Sequence, residues 1–254
     1  MSRGSNDLTT SDDASSRPDE LFFKWEIEDA VQIYSSKPAK RYLICTNGGY
    51  HPILQLLKDG TVAAVVRGGD YWVGERGRIE LVISKDGGES WSQPLPIVTM
   101  KPDPCHWSFG HTSKGTLLVS FVQPHNYNNG VWDTSAYRFG PLYIVRSNDC
   151  GLTWSNAAIV AADSISAGCF NPYGKIVELA DGTLLMGLYT ISRDADKMAS
   201  YTGSGSVGCS ILRSQDDGIT WGQSSFFAEG FVQPALLSLP TGKLIATLSE
   251  KDGN

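Results

Sequence analysis

Arg67 and Asp70 flank two glycines in the run Arg67-Gly68-Gly69-Asp70-Tyr71-Trp72. A guanidinium can hold a carboxylate, and a carboxyl group can carry a proton, so the run has the parts for acid–base work on a polar substrate. The same two side chains could instead brace a Gly-Gly loop as an ion pair. Both readings stand at this point. His106 and His111 lie five apart. On one strand they face opposite sides and cannot chelate one metal. His51, His106 and His125 read as polar loop residues, and no metal is expected. Gly203-Ser204-Gly205-Ser206-Val207-Gly208 spells G-x-G-x-x-G. It precedes a strand and leads into no helix, so no dinucleotide or other cofactor is expected.

A repeated turn positions these residues. Ser84-Lys85-Asp86-Gly87-Gly88-Glu89-Ser90-Trp91 recurs as Ser147-Asn148-Asp149-Cys150-Gly151-Leu152-Thr153-Trp154 and as Ser214-Gln215-Asp216-Asp217-Gly218-Ile219-Thr220-Trp221. Each copy follows an alternating apolar run (79–83, 142–145 and 207–212) and closes a hairpin. The Asp accepts N–H bonds inside its own turn, Gly supplies φ > 0, and the Trp opens the next strand with a large packing surface. Three copies at near-constant spacing mark a repeat architecture.

A second element alternates with the first. Asp59-Gly60, Lys114-Gly115, Asp181-Gly182 and Thr241-Gly242 each separate two apolar runs, which is a strong hairpin signal. One unit is therefore strand A, Gly turn, strand B, long loop, strand C, Ser-x-Asp turn, strand D. The first unit is expected at 53–57, 61–66, 79–83 and 91–98. The second and third start near Cys105 and Pro172. A fourth begins at 234–239 and 244–248, and the chain ends at Asn254 before another Ser-x-Asp turn.

This pattern is the Asp-box, or BNR, repeat, and from Tyr50 to Ser249 the chain resembles the sialidase-like β-propellers. The resemblance implies an all-β propeller of four-stranded blades, with three complete blades and half of another, either from a six-bladed parent or closed by the N-terminal strands into a four-bladed ring. Asp86, Asp149, Asp216, Trp91, Trp154 and Trp221 would be structural, at the bottom face. The top face would carry 47–52, 67–78, 101–108, 123–140, 168–173, 190–206 and 230–233. Long loops on a rigid scaffold are where function concentrates. Sialidases carry an Arg and then a general acid/base where this chain has Arg67 and Asp70, so the resemblance assigns those two to catalysis. Tyr50, His51, Asp103, His106, Asn171, Tyr173 and Gln233 become the substrate-binding candidates. Glu178, near the bottom turn, is expected to be solvated.

The chain also departs from that pattern. The Arg-Ile-Pro of the first sialidase blade is here Tyr50-His51-Pro52. Gln233 stands where a Glu would polarise a tyrosine nucleophile, and Ser249-Glu250-Lys251 replaces a further Arg. The resemblance thus implies a sialidase-like glycoside hydrolase acting on terminal sugars of glycans or, alternatively, a non-catalytic propeller binding a glycan or a protein.

Composition bounds the partners. Only 19% of the 254 residues are charged and the net charge is -6, with no basic cluster, so neither nucleic acid nor a membrane is an expected partner. There is no basic-then-apolar leader and no N-x-[ST] sequon, and the five cysteines form no C-x-x-C pair. These features favour a cytoplasmic, reducing setting. Residues 1–20 read as a disordered tail and 21–254 as the propeller domain. The open strand at 244–248 is an edge expected to recruit another copy of the chain.

Overall fold

The computed structural model describes residues 42–44, 48–70, 74–124, 127–132, 139–160, 169–191 and 207–250. The tail at 1–20, His125 and the glycines at 203 and 205 lie outside them. Sixteen strands and no helix run through the described residues. The first antiparallel meander is β1 (Gly48–Leu56), β2 (Val62–Gly68), β3 (Arg78–Ser84) and β4 (Leu95–Val98). The second is β5 (Cys105–His111), β6 (Leu117–Pro124), β9 (Phe139–Ser147) and β10 (Ala158–Ile159). A small hairpin, β7 (Tyr127–Asn128) with β8 (Val131–Trp132), is inserted after β6. The third meander is β11 (Cys169–Glu178), β12 (Leu184–Ile191), β13 (Val207–Ser214) and β14 (Gly222–Glu229). Last come the paired strands β15 (Phe231–Ser238) and β16 (Leu244–Glu250).

Strand alternation explains the core. Along β6, Leu117, Val119 and Phe121 join a cluster with Leu81, Ile79 and Val65 of the first meander. Leu118 and Val122, on the opposite face, pack with Leu184, Met186 and Leu212 of the third. Both faces of the strand are buried, so its sequence reads as one apolar run.

The three Ser-x-Asp turns share one bond set. The hydroxyls of Ser84, Ser147 and Ser214 donate to Asp86, Asp149 and Asp216 at 2.7, 2.7 and 2.8 Å. Each Asp also accepts the N–H and hydroxyl of the Ser or Thr four residues on. The indole N–H of Trp91, Trp154 and Trp221 donates back to the carbonyl of Gly88, Gly151 and Gly218. These turns and the Gly turns lie at one end of the strands. Asp217, in the third Ser-x-Asp turn, accepts from Thr116 of a Gly turn at 2.7 Å and from Arg146 of β9 at 3.0 Å. Glu178, half-buried at this end, accepts from the Ser113 hydroxyl at 2.6 Å in a solvent-exposed bond. Lys58 donates to the Ser113 carbonyl, so three successive Gly-turn regions are linked.

Asp149 makes the turn chemistry measurable. The Thr153 hydroxyl and N–H, with the Ser147 hydroxyl, hold its carboxyl at about 2. A depressed folded value contributes stability above the unfolded value of about 3.9, and that contribution disappears as pH falls towards 2. The Asp149 carboxyl should therefore titrate near pH 2 by NMR, and Asp149→Asn should flatten the loss of stability between pH 4 and 2. A midpoint near 4 would contradict the turn geometry.

One departure from separate four-stranded units is clear. β5 and β11 pair in parallel at Ser108–Gly174, Phe109–Lys175 and Gly110–Ile176, fusing the second and third meanders into one eight-stranded sheet. Missing side chains allow this approach. A Cβ on Gly110 would lie 2.6 Å from the Ile176 Cβ.

Candidate functional site

The first strands of the successive meanders start from a common end. His51 near the start of β1 has its ring edge-on to Trp107 of β5, with centroids 6.0 Å apart, while at the far end of these strands Lys58 reaches Ser113. β5 and β11 run parallel. β15 lies beside β11, where a Cβ on Gly174 would be 3.1 Å from the Ala235 Cα. These strand starts carry Tyr50 and His51 on β1, His106 on β5, Asn171 and Tyr173 on β11, and Gln233 on β15.

Three of these positions are backbone irregularities. His51, His106 and Gln233 have φ of 49°, 41° and 56°, and each sits at a register shift in its strand pair. A left-handed non-Gly residue at a bulge costs about 1–3 kcal/mol, and such residues concentrate at functional sites. β11 solves the same bend differently, between Pro172 and Ile176, with Gly174 at φ 73°.

Arg67, at the end of β2, is only 1% exposed. Its guanidinium is ion-paired with Asp103 and donates to the carbonyls of Pro104 at 3.0 Å and Gly74 at 3.1 Å. Gly77 is pressed against the guanidinium, so a Cβ there would lie 2.1 Å from Nη2. The β7–β8 hairpin closes the arrangement. The Tyr127 hydroxyl accepts the Gly74 N–H at 3.0 Å and bonds the Asp103 carboxylate. Burial pushes Asp103 up, while Arg67 and Tyr127 pull it down. Burial and the neighbouring carboxylate push the Tyr127 phenol up.

Asp70 lies just beyond β2, with its carboxylate 3.5 Å from the exposed Arg76. The buried carboxylate against Arg67 is that of Asp103, a partner that local spacing does not reveal. His106 faces Tyr189 of β12, with Nδ1 3.0 Å from the hydroxyl. Burial, then His51 and Arg67, push its imidazole down to about 4. His51 is lowered by burial and by Arg67. Both rings are therefore neutral at pH 7. Asn171 is fully buried, and neither its Nδ2 nor its Oδ1 has a partner among the described residues. Tyr50 sits at 36% exposure opposite Arg67, and Tyr173 and Gln233 are half-buried.

Sequence reasoning missed Tyr127 and Tyr189. Tyr189 lies in an apolar run, with nothing local to mark it. Tyr127 belongs to a Tyr/Asn-rich loop, which was the only signal available. Among the described residues no group of three His, Cys, Asp or Glu side chains could hold a metal.

No family model matches the chain, and no curated protein matches it in sequence. Solved structures do. A sialidase from the Hadza microbiome, Hz136, superposes with a TM-score of 0.66 at 19% identity, covering 80% of this chain and 42% of that one. The Trypanosoma rangeli sialidase in complex with sialic acid gives 0.59 at 16% identity, covering 85% and 36%. A Dyadobacter fermentans protein of unknown function gives 0.62 at 19%, covering 82% and 64%. This chain thus has a sialidase-like fold and spans between about a third and two thirds of the length of these structures.

Proposed function

We propose that the chain is the site-bearing part of a sialidase-like β-propeller glycoside hydrolase that acts on terminal sugars of glycans. Its three meanders are blades, and its Ser-x-Asp turns are Asp boxes. One observation carries the reading. The starts of the inner strands carry neutral hydrogen-bonding side chains, three of them at strained left-handed positions, beside a buried Arg67–Asp103 pair and the partly exposed carboxyl of Asp70. In this reading Asp70 gives its proton to the glycosidic oxygen as that bond breaks. Water supplies the new hydroxyl at the anomeric carbon and its remaining proton restores the acid. Arg67 and Asp103 set the floor of the site, and Tyr127 locks them.

A panel of fluorogenic glycosides tests this directly. Asp70→Asn should lower turnover about 100- to 10,000-fold, the usual contribution of a general acid, while leaving glycan binding in place. Turnover unchanged within tenfold would remove Asp70 from the mechanism. A second reading, a glycan-binding propeller without hydrolysis, is favoured by Gln233, whose amide cannot serve as a base. Binding without turnover on the whole panel would select it. We read the edge of β16, where Leu244 and Ile245 are exposed, as the surface through which copies of the chain associate.

A further inference from the structure

We propose that the strand-start site takes an uncharged sugar ring through its hydroxyls, and not a carboxylate-bearing sugar. This rests on the glycan-directed reading given above and narrows its substrate class.

The side chains at the strand starts include, besides Tyr50 and Tyr173, two imidazoles and two amides, His51, His106, Asn171 and Gln233. Groups of this kind both donate and accept, as sugar hydroxyls do. The burial described for His51 and His106 keeps them uncharged at neutral pH. Asn171 is the sharpest pointer. Its amide is buried with both polar atoms unpartnered among the described residues, and a buried amide is normally satisfied. It pairs in register with Tyr189, whose hydroxyl faces His106, so the orphan amide and the neutral imidazole meet at one level of the sheet.

Three arginines at this end of the described structure are already matched. Arg67 is enclosed with Asp103, Arg76 lies against Asp70, and Arg78 holds Glu80 at 2.5 Å. A substrate carboxylate approaching Arg67 would place two anions on one buried cation and would have to displace Asp103 or two backbone carbonyls. A neutral ring carries no such cost.

The test uses the 254-residue chain and pairs of probes. Oligosaccharides ending in galactose, N-acetylglucosamine, mannose or fucose are compared by titration calorimetry with the same oligosaccharides capped by N-acetylneuraminic acid. At least one uncapped probe should bind tenfold or more tightly than its capped partner. Gln233→Gly should weaken that binding at least tenfold. Glycine accepts the φ of 56° without strain, so this variant keeps the fold while removing the amide. Equal or tighter binding of the capped probes, with glycan binding intact, overturns the uncharged-sugar inference alone. Failure of every probe overturns both this inference and the glycan-directed reading.

Discussion

Replacing Arg67 with methionine should lower the stability of the chain by about 3–5 kcal/mol, the usual cost of breaking a buried ion pair from one side. Such a loss is a large fraction of the roughly 5–15 kcal/mol that holds a domain folded. The cause is the partner left behind. Asp103 is 1% exposed, and without the guanidinium its charge is stranded in a buried site with the Tyr127 hydroxyl and its own backbone N–H but no cation against it. The double variant Arg67→Met/Asp103→Leu should recover most of the loss, because apolar residues of similar volume often replace a buried pair without penalty. Urea midpoints of the two variants decide the matter. A single-variant loss under about 1 kcal/mol would show that Arg67 is not buried against Asp103.

Gly151→Val and Gly218→Val should each cost about 2–5 kcal/mol. Both glycines lie in Ser-x-Asp turns with φ of 88° and 78°. A side chain there carries about 1–2 kcal/mol of left-handed strain, and overpacking adds about 1–3. The overpacking is across meanders. A Cβ on Gly151 would lie 2.3 Å from Leu81 Cδ2 of the first meander, and one on Gly218 would lie 2.7 Å from Leu118 Cδ2 of the second. Gly182 and Gly242 provide the control. Their φ values are 84° and 80°, but no atom lies within 4 Å of a Cβ on either. Valine at 182 or 242 should therefore lose only the strain component. Equal losses at all four sites would mean that the Ser-x-Asp turns do not pack on the preceding meander.

Much of this organisation can be read from residue order, because it is local. An Asp-Gly pair or a Ser-x-Asp-x-Gly turn carries its own bond set within a few residues, and alternation along β6 assigns its two faces. The candidate site is less legible. Arg67 finds Asp103 through a contact 36 residues away, while the nearer acid, Asp70, sits against Arg76. The Pro104 carbonyl and the Tyr127 hydroxyl come from later elements, and no spacing rule ties them to β2. His106 shows the same limit. As a sequence position it is an ordinary polar residue, and only burial beside Tyr189 turns it into a neutral imidazole. The fourth strand of the first meander begins at Leu95 rather than at Trp91.

The glycine seam between β5 and β11 also sets how the molecule comes apart. The second and third meanders share a continuous backbone ladder, whereas the first touches the second through side-chain contacts, among them the Gln55 amide on the Phe109 carbonyl at 2.9 Å, Lys58 on the Ser113 carbonyl and Arg67 on the Pro104 carbonyl. Opening either half of the eight-stranded sheet exposes the unpaired edge of the other, so the two halves form one cooperative unit of unfolding. The first meander can loosen earlier at no cost to that ladder. Because Arg67 lies on β2 and Asp103 stands at the threshold of β5, the ion pair spans the boundary between the two units. It is the latch that couples the less cooperative part to the rest.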